Sequence, residues 1–350
     1  MKNTSIRTIA IVFNLKKSSS DDTYEEYDEI ETIQALKVEL ERYGFSVILL
    51  DQDEHFLKNI INLHVDFVLN IAEGVGKTRA RESQVPCILE NLGIPYSGSD
   101  PIALGITLDK YLTSLILSSA HIPVPLMVMI KTEKEIDSLK GIFKGKKVFI
   151  VKPRWEGSSK GIFSHSVVST FTNLKERVMY ILSRYHQPAV VEEFLEKEEI
   201  TVGVCGNKSP YILGMMKIIH QDASPKFFVY SLENKREWQA KIKYEPQESI
   251  ARNIQVLIER YALKAFGILE LRDFARIDFR VDGDNIPKII DINPLPGLSP
   301  HYSDLTILYK LKGRSYSNLI KTLLEESFKR YGFKLNRNQP DLKKSGKILR

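Results

Sequence analysis

Two short stretches, ARIDFRV (275–281) and PKIIDIN (287–293), carry a pair of carboxylates at a spacing that suits a divalent cation. Period-two alternation puts Ile277, Phe279 and Val281 on one face of the first strand and Arg276, Asp278 and Arg280 on the other. With a turn comprising residues 283–286, antiparallel pairing sets Asp278 opposite Asp291 and Arg276 opposite Asn293. Like charges directly opposed destabilise a hairpin unless a cation lies between them, and magnesium takes oxygen ligands of this kind. A solvated polar face is the alternative reading of the same alternation. The stiff loop NPLPGLSP that follows holds Asn293 in place and presents backbone amides beyond it.

A second constellation begins where the apolar strand VFIV runs into Lys152, Pro153, Arg154, Trp155, Glu156, Gly157, Ser158, Ser159, Lys160 and Gly161. Small residues there can expose backbone N–H groups to a phosphate while lysine supplies charge, although a Gly/Ser string is more often a plain turn. The order GxxxxGK[ST] is absent, so this is not a Walker A loop. Glu192 and Glu193 end the strand AVV, and Glu199 follows after a loop. Carboxylates at those positions can accept from an amino group or ribose hydroxyls, the competing reading being simple solvation. Taken singly, Lys110 and Lys235 read as surface lysines.

The elements that must position these groups fall into three blocks. The first alternates apolar strands with helical patterns: TIAIVFN, a helix through Ile30, Ile33, Leu36 and Leu40 ending near Gly44, SVILLD, a short helix, DFVLNIA, and a helical run over residues 82–92. That order implies a parallel, doubly wound (Rossmann-like) sheet over residues 1–107. Residues 108–195 read as a small central α/β unit containing LMVMI, VFIVKP and AVVEEF, and residues 196–330 as an α+β unit. Within the latter, the polar segment 220–244 and a helix from about Glu248 to Phe266 separate the strands EITVGVCG and YILGMMKII from the hairpin. Residues 331–350 read as a basic polar tail.

The 350 residues, 43% of them hydrophobic, exceed what one core serves. Fifty basic against 44 acidic residues give a net charge of +6, which suits an anionic small molecule and falls short of a nucleic-acid footprint. Cys87 and Cys205 lie outside any zinc or disulfide spacing, and a reducing cytoplasm fits best. The apolar run at residues 9–15 lacks a small-residue cleavage site and reads as a core strand, and no run is long enough to span a bilayer.

Taken in order, LGIPYSGSD, LDK, VKPRWEGSSKG, VEEFLEKEEITVGV, YSLENK, ARIDF and DINPLPGLS resemble the ATP-grasp superfamily and, within it, the D-alanine–D-alanine ligases, to about residue 310. The resemblance implies an enzyme that uses ATP and Mg2+, with Mn2+ as a substitute, to activate a carboxylate as an acyl phosphate and pass it to an amine. It places Lys110 and Lys152 on the ATP phosphates under the loop of Ser158, Ser159 and Gly161. Glu192 would meet the adenine amino group beside a hinge of Glu193, Phe194 and Leu195, and Glu199 the ribose. Lys235 would reach the γ-phosphate from a lid, Arg276 would stabilise the oxyanion, and Asp278, Asp291 and Asn293 would hold the metal. Asp291 stands where those ligases usually carry glutamate.

The segments that read substrate depart from the family. In place of its GGxSxE segment stands NLKKSSSDDTYEEYDEIE, where the nearest acids are Glu25, Glu26 and Asp28 and where Thr23 and Glu26 also have capping-box spacing. NIAEGVG and RESQVPC put Glu73, Arg81 and Glu82 where the first amino acid would be read. On the second-substrate side stand Gly297 and Ser303, the serine aligning only with a one-residue insertion at Tyr302. The expectation is a paralogous ligase of small-molecule amino-acid or peptide substrates, with a homodimer as the usual family state. An authentic D-alanine–D-alanine ligase and a non-catalytic nucleotide-binding regulatory module are the alternatives.

Overall fold

The computed structural model describes residues 6–19, 21–143, 148–221 and 227–335, so most of the basic tail, from residue 336 on, lies outside the described residues. The first unit comprises β1 (Thr8–Phe13), α1 (Ile30–Arg42), β2 (Ser46–Asp51), α2 (Phe56–Asn62), β3 (Phe67–Asn70), α3 (Gln84–Leu92) and α4 (Pro101–Leu108), and α5 (Lys110–Ser119) follows it, with Leu117 packed into the core beneath α9 residues such as Ile254 and Ile258. Its parallel sheet runs β2-β1-β3. The unbroken apolar run of β1 is buried on both faces, as a parallel strand between two helical layers must be. Ile9 and Ile11 join α1 on one side, whereas Ala10 and Val12 join α2 and α3 on the other. The doubly wound arrangement expected from the sequence is present.

The second unit comprises β4 (Met127–Ile130), β5 (Phe149–Pro153), β6 (Val167–Val168), α6 (Phe171–Tyr185) and β7 (Ala189–Glu193), in an antiparallel sheet of order β4-β7-β5-β6. Leu174, Val178 and Ile181, spaced three and four apart, give α6 the face that covers this sheet.

The third unit contains β8 (Glu199–Cys205), β9 (Tyr211–His220), α7 (Leu232–Arg236), α8 (Trp238–Lys241), β10 (Ile242–Pro246), α9 (Arg252–Ile268), β11 (Phe274–Val281), β12 (Pro287–Asn293), α10 (Asp304–Leu311) and α11 (Tyr316–Arg330). Its antiparallel sheet has the order β10-β9-β8-β11-β12. Helix α9 covers one face through Ile254, Ile258, Ala262 and Ala265. On the other face α10 approaches most closely where Gly203 and Gly214 pair across β8 and β9. A methyl group on Gly203 would sit 2.7 Å from Leu305 Cδ1, so the sequence leaves both positions bare to let the helix dock.

Three sequence expectations need correction. Val281 pairs with Pro287, so the hairpin loop is residues 282–286 rather than 283–286. A β-bulge at Ile290 then restores the expected pairing of Asp278 with Asp291 and Arg276 with Asn293. Thr23 and Glu26 form no capping box: α1 starts at Ile30 behind Glu29, which makes no side-chain cap. Finally, the polar segment 220–244 includes two short helices and the start of an edge strand, and a 3-10 turn at Gln247–Ser249 delays α9 to Arg252.

Candidate active site

The two antiparallel sheets face each other across a cleft, and the sequence motifs converge there. Lys110 opens α5, with Asp109 capping that helix by accepting from Leu112 N. Its Nζ donates to Asp291 Oδ1 at 3.0 Å. Lys152, near the end of β5 that leads into the loop, donates to Glu192 Oε1 on neighbouring β7 at 2.8 Å. Burial outweighs that attraction and pushes the Glu192 carboxyl up from its ordinary range. Glu192 Oε2 is buried without a hydrogen-bond partner, an acceptor that an amino group could satisfy.

Beyond β5 the chain turns sharply, with Ser158 at φ +49° and Ser159 at φ +58°. Two successive left-handed residues other than glycine cost energy, and such turns persist where the surroundings over-determine them. The Ser158 and Ser159 N–H groups have no partner among the described residues, which suits an anion-binding loop. Gly161 instead turns its N–H to Asp22 Oδ2 at 3.2 Å.

Opposite the loop, β11 presents its polar face. Arg276, 9% exposed, donates through Nη2 to Asp278 Oδ2 at 3.0 Å, and its Nη1 lies 3.4 Å from Asp304 Oδ2. Buried against these carboxylates, its guanidinium is held charged. Asp278 also accepts from Thr201 Oγ1 at 2.9 Å. Lys235, on α7, lies over the Tyr230 ring at 4.8 Å with no ion pair among the described residues. Burial, helped by repulsion from Arg276, draws its ammonium pKa down. Glu199 approaches Arg280 at 3.7 Å, and burial raises its carboxyl.

One cavity is lined by Lys110, Lys152, Ser158, Ser159, Glu192, Glu199, Lys235, Arg276, Asp278 and Asp291, with Glu193, Phe194 and Leu195 along the strand end. A second, of about 370 Å³, is lined by Glu26, Asp28, Glu73, Asn293, Gly297 and Ser303. Ser158, Tyr230, Lys235 and Arg276 border both, so the two cavities meet at those four side chains. A smaller recess bordered by Glu73 and Glu82 opens beside them.

Not every candidate presents a free group. Glu26 accepts from Arg81 Nη2 at 2.5 Å and from the Gly157 N–H, with Lys160 3.6 Å away. Arg81 is 2% exposed, lines none of these cavities, and also donates to the Trp155 carbonyl at 2.8 Å. Glu26 and Arg81 therefore join the first unit to the Gly/Ser loop. Ser303 Oγ accepts from Ser299 N at 2.8 Å and would sit 2.8 Å from a side chain placed on Gly297, so these two close one wall together.

Arg280 and Asp304 went unrecognised in the sequence. Arg280 shares the polar face of β11 with Arg276 and Asp278, which was its available signal. Asp304, beside Ser303 at the start of α10, carried none.

Asp28 provides a pH test of the second cavity. Burial and the neighbouring Glu29 push its carboxyl up to about 7, against 3.8 in an ordinary aspartate. A carboxyl raised on folding leaves stability intact below its unfolded value and lowers it as pH rises through the folded value. Asp28→Asn is therefore expected to raise stability by about 1–2 kcal/mol at pH 8, discounted for its partial exposure, and to change it little at pH 4. Urea unfolding at the two pH values checks this.

Among the described residues no group of three or more His, Cys, Asp or Glu is gathered to hold a metal. Asp278, Asp291 and Asn293 would be the residues to hold one, two opposed carboxylates and an amide oxygen that leave positions for phosphate oxygens and water; here Arg276, Lys110 and the Leu295 N–H occupy them in turn. No described helix is long and apolar enough to cross a membrane.

The family description "D-ala D-ala ligase C-terminus" matches residues 116–325. An uncharacterized protein of Sinorhizobium fredii is 30% identical over 75% of this chain and 75% of its own length. A D-alanine–D-alanine ligase of Aquifex aeolicus is 29% identical over 84% of this chain and 94% of its own. The crystal structure of D-alanine–D-alanine ligase from Bacillus anthracis complexed with ATP superposes with a TM-score of 0.70 over 93% of this chain and 98% of that one, at 22% identity, a likeness of fold.

Proposed function

The chain belongs to the D-alanine–D-alanine ligase family of ATP-grasp enzymes, ATP-dependent ligases that form carbon–nitrogen bonds, and from that premise we propose that it joins an amino acid or peptide carboxylate to an amine through an acyl phosphate. The observation that carries the reading is the placement of Arg276 and Lys235 on the border between the two cavities. Phosphoryl transfer needs positioned positive charge more than it needs covalent chemistry. In this reading Lys110 and Lys152 hold the phosphates, the Ser158 and Ser159 amides close over them, and Glu192 accepts from the adenine amino group. Glu199 takes the ribose, with Glu193, Phe194 and Leu195 as the hinge. Asp278, Asp291 and Asn293 hold magnesium, which supplies neutralising charge for the transferring phosphoryl group.

Lys235, kept poorly solvated on α7, brings its charge to the γ-phosphate from the lid side, and the Tyr230 ring beneath it helps exclude water from a hydrolysable intermediate. Arg276 then faces the oxygen on which charge collects when the amine attacks. Gly297 and Ser303 wall the side on which the acceptor enters. The ligase relatives are named for D-alanine, but Glu73 and Glu82 furnish a different first-substrate side, with Arg81 buried behind it on Glu26, so the amino-acid pair is left open. The test is incubation with ATP, magnesium and pooled amino acids, with phosphate and product mass followed together. Phosphate release accompanied by a dipeptide mass supports the reading; release of neither across L-, D- and dipeptide pools rejects it.

A further inference from the structure

On the side away from Lys235 and Arg276, which border the nucleotide cavity as well, the second cavity has more carboxylates than nearby cations to meet them. Four basic side chains from the elements packed around it are already engaged. Lys16 pairs with Glu25 at 3.3 Å and Glu29 at 3.7 Å, and Arg236 pairs with Glu25. Arg81 pairs with Glu26, and Lys160 with Glu156 at 2.7 Å. Lys110, at the edge of the recess, is held by Asp291. Asp28, Glu73 and Glu82 remain, and none of their side chains makes a hydrogen bond or ion pair among the described residues.

Glu82 is the decisive member. It is 7% exposed, it has no partner, and it borders the recess that shares Glu73, Ser158 and Asn293 with the main cavity. A buried carboxylate without a hydrogen bond is costly, and the two cations whose charge reaches Glu82, Arg81 and Lys110, are already engaged by Glu26 and Asp291. Burial, with repulsion from Glu82 and Glu26, pushes Glu73 well above the ordinary range, and burial raises Glu82 to about 8 even though Arg81 and Lys110 pull it down. One α-ammonium group can neutralise one of these positions. A second, buried position in the adjoining recess asks for a second cation.

Resting on the ligase reading above, we propose that the first substrate is a diamino acid, its carboxylate directed to Arg276 and the nucleotide, its α-ammonium and side-chain ammonium groups received by Asp28, Glu73 and Glu82. The cavity of about 370 Å³ lies at the small end for small-molecule sites, which suits a short side chain carrying its charge close to the backbone. Neutral amino acids leave the recess carboxylate unpaired and are disfavoured for that reason.

The experiment measures ADP release by the full-length protein with ATP and magnesium. Both enantiomers of ornithine and 2,4-diaminobutyrate are compared with norvaline and alanine. At least one diamino acid is expected to exceed the neutral compounds in kcat/KM by on the order of a hundredfold, the scale for an unmet buried charge. Glu73→Gln and Glu82→Gln, both isosteric, are each expected to narrow that ratio by about tenfold or more, and unchanged or raised melting temperatures establish that the variants are folded. Equal turnover of norvaline or alanine leaves the ligase reading standing and overturns this inference alone. A preference that both variants retain in full overturns it as well. If no amino acid of either class stimulates ADP release, the ligase reading falls and takes the inference with it.

Discussion

Replacing Arg276 by alanine is expected to lower kcat by about 10²–10³-fold while ATP affinity stays within a few-fold of the parent, the size of effect seen when one donor to a developing oxyanion is removed. The separation follows from position. Arg276 sits where the two cavities meet, held by Asp278 and Asp304, whereas the proposed phosphate contacts of Lys110 and Lys152 lie along the first cavity. The variant also leaves two carboxylates short of a partner, so some stability is lost, and unfolding must be followed alongside turnover. Arg276→Lys keeps a charge but loses the planar fork that spans Asp278 and Asp304, and is expected to recover stability more than rate. Turnover within about tenfold of the parent for Arg276→Ala would place the oxyanion site elsewhere.

Arg81→Met is the second large effect, and it falls on stability. Arg81 and the Glu26 side chain are each about 2% exposed and 2.5 Å apart, and Glu156 lies 3.7 Å from the same guanidinium. Removing the arginine leaves a buried carboxylate with only the Gly157 N–H and the more distant Lys160. A loss of about 3–5 kcal/mol is expected, as for other buried pairs broken on one side. The melting temperature should fall by about 10 °C, at a few degrees per kcal/mol for a chain of this size. Adding Glu26→Gln removes the orphaned charge and is expected to restore more than half of the loss, a non-additivity that scanning calorimetry on the single and double variants measures. A change below about 1 kcal/mol in the single variant would mean that the pair is solvated in solution. Because the same pair anchors the Gly157 amide, KM for ATP should rise in Arg81→Met as well.

Much of this architecture was legible beforehand, for identifiable reasons. The run TIAIVF is apolar without interruption and is buried on both faces, so period and burial agreed. The pairing of Asp278 with Asp291 was reached with a loop one residue too short, and only the bulge at Ile290 brought expectation and structure together. Bulges leave little trace in a single sequence, since they need only one extra residue whose side chain is tolerated on either face. The segment after β9 misled because β10 is an edge strand of mixed polar and apolar residues, IKYEP, whose hydrogen bonds to β9 rather than its composition define it.

Legibility of the site divides in the same way. Lys152 and Glu192 sit on neighbouring strands, and Asp278 and Asp291 on another adjacent pair, so strand pairing was enough to bring each couple together. The pairing of Glu26 with Arg81 spans 55 positions and joins a turn to the start of a 3-10 helix, and no periodicity links the two. For that reason Glu26 read as a free substrate or capping group, whereas its carboxylate is tied into the wall beneath the Gly/Ser loop. Glu73 and Glu82, whose only sequence signal was their place in the altered segments, join Asp28 as cavity acids whose side chains make no hydrogen bond or ion pair among the described residues.

The acyl-phosphate route is the central claim, and isotope transfer tests it most directly. The amino acid that supports ADP release is labelled with ¹⁸O in its carboxylate, and the inorganic phosphate formed with the amide product is analysed by mass spectrometry. Attack of that carboxylate on the γ-phosphorus predicts one ¹⁸O per phosphate released. Phosphate carrying oxygen from solvent water, or release of AMP and pyrophosphate in place of ADP, would contradict it.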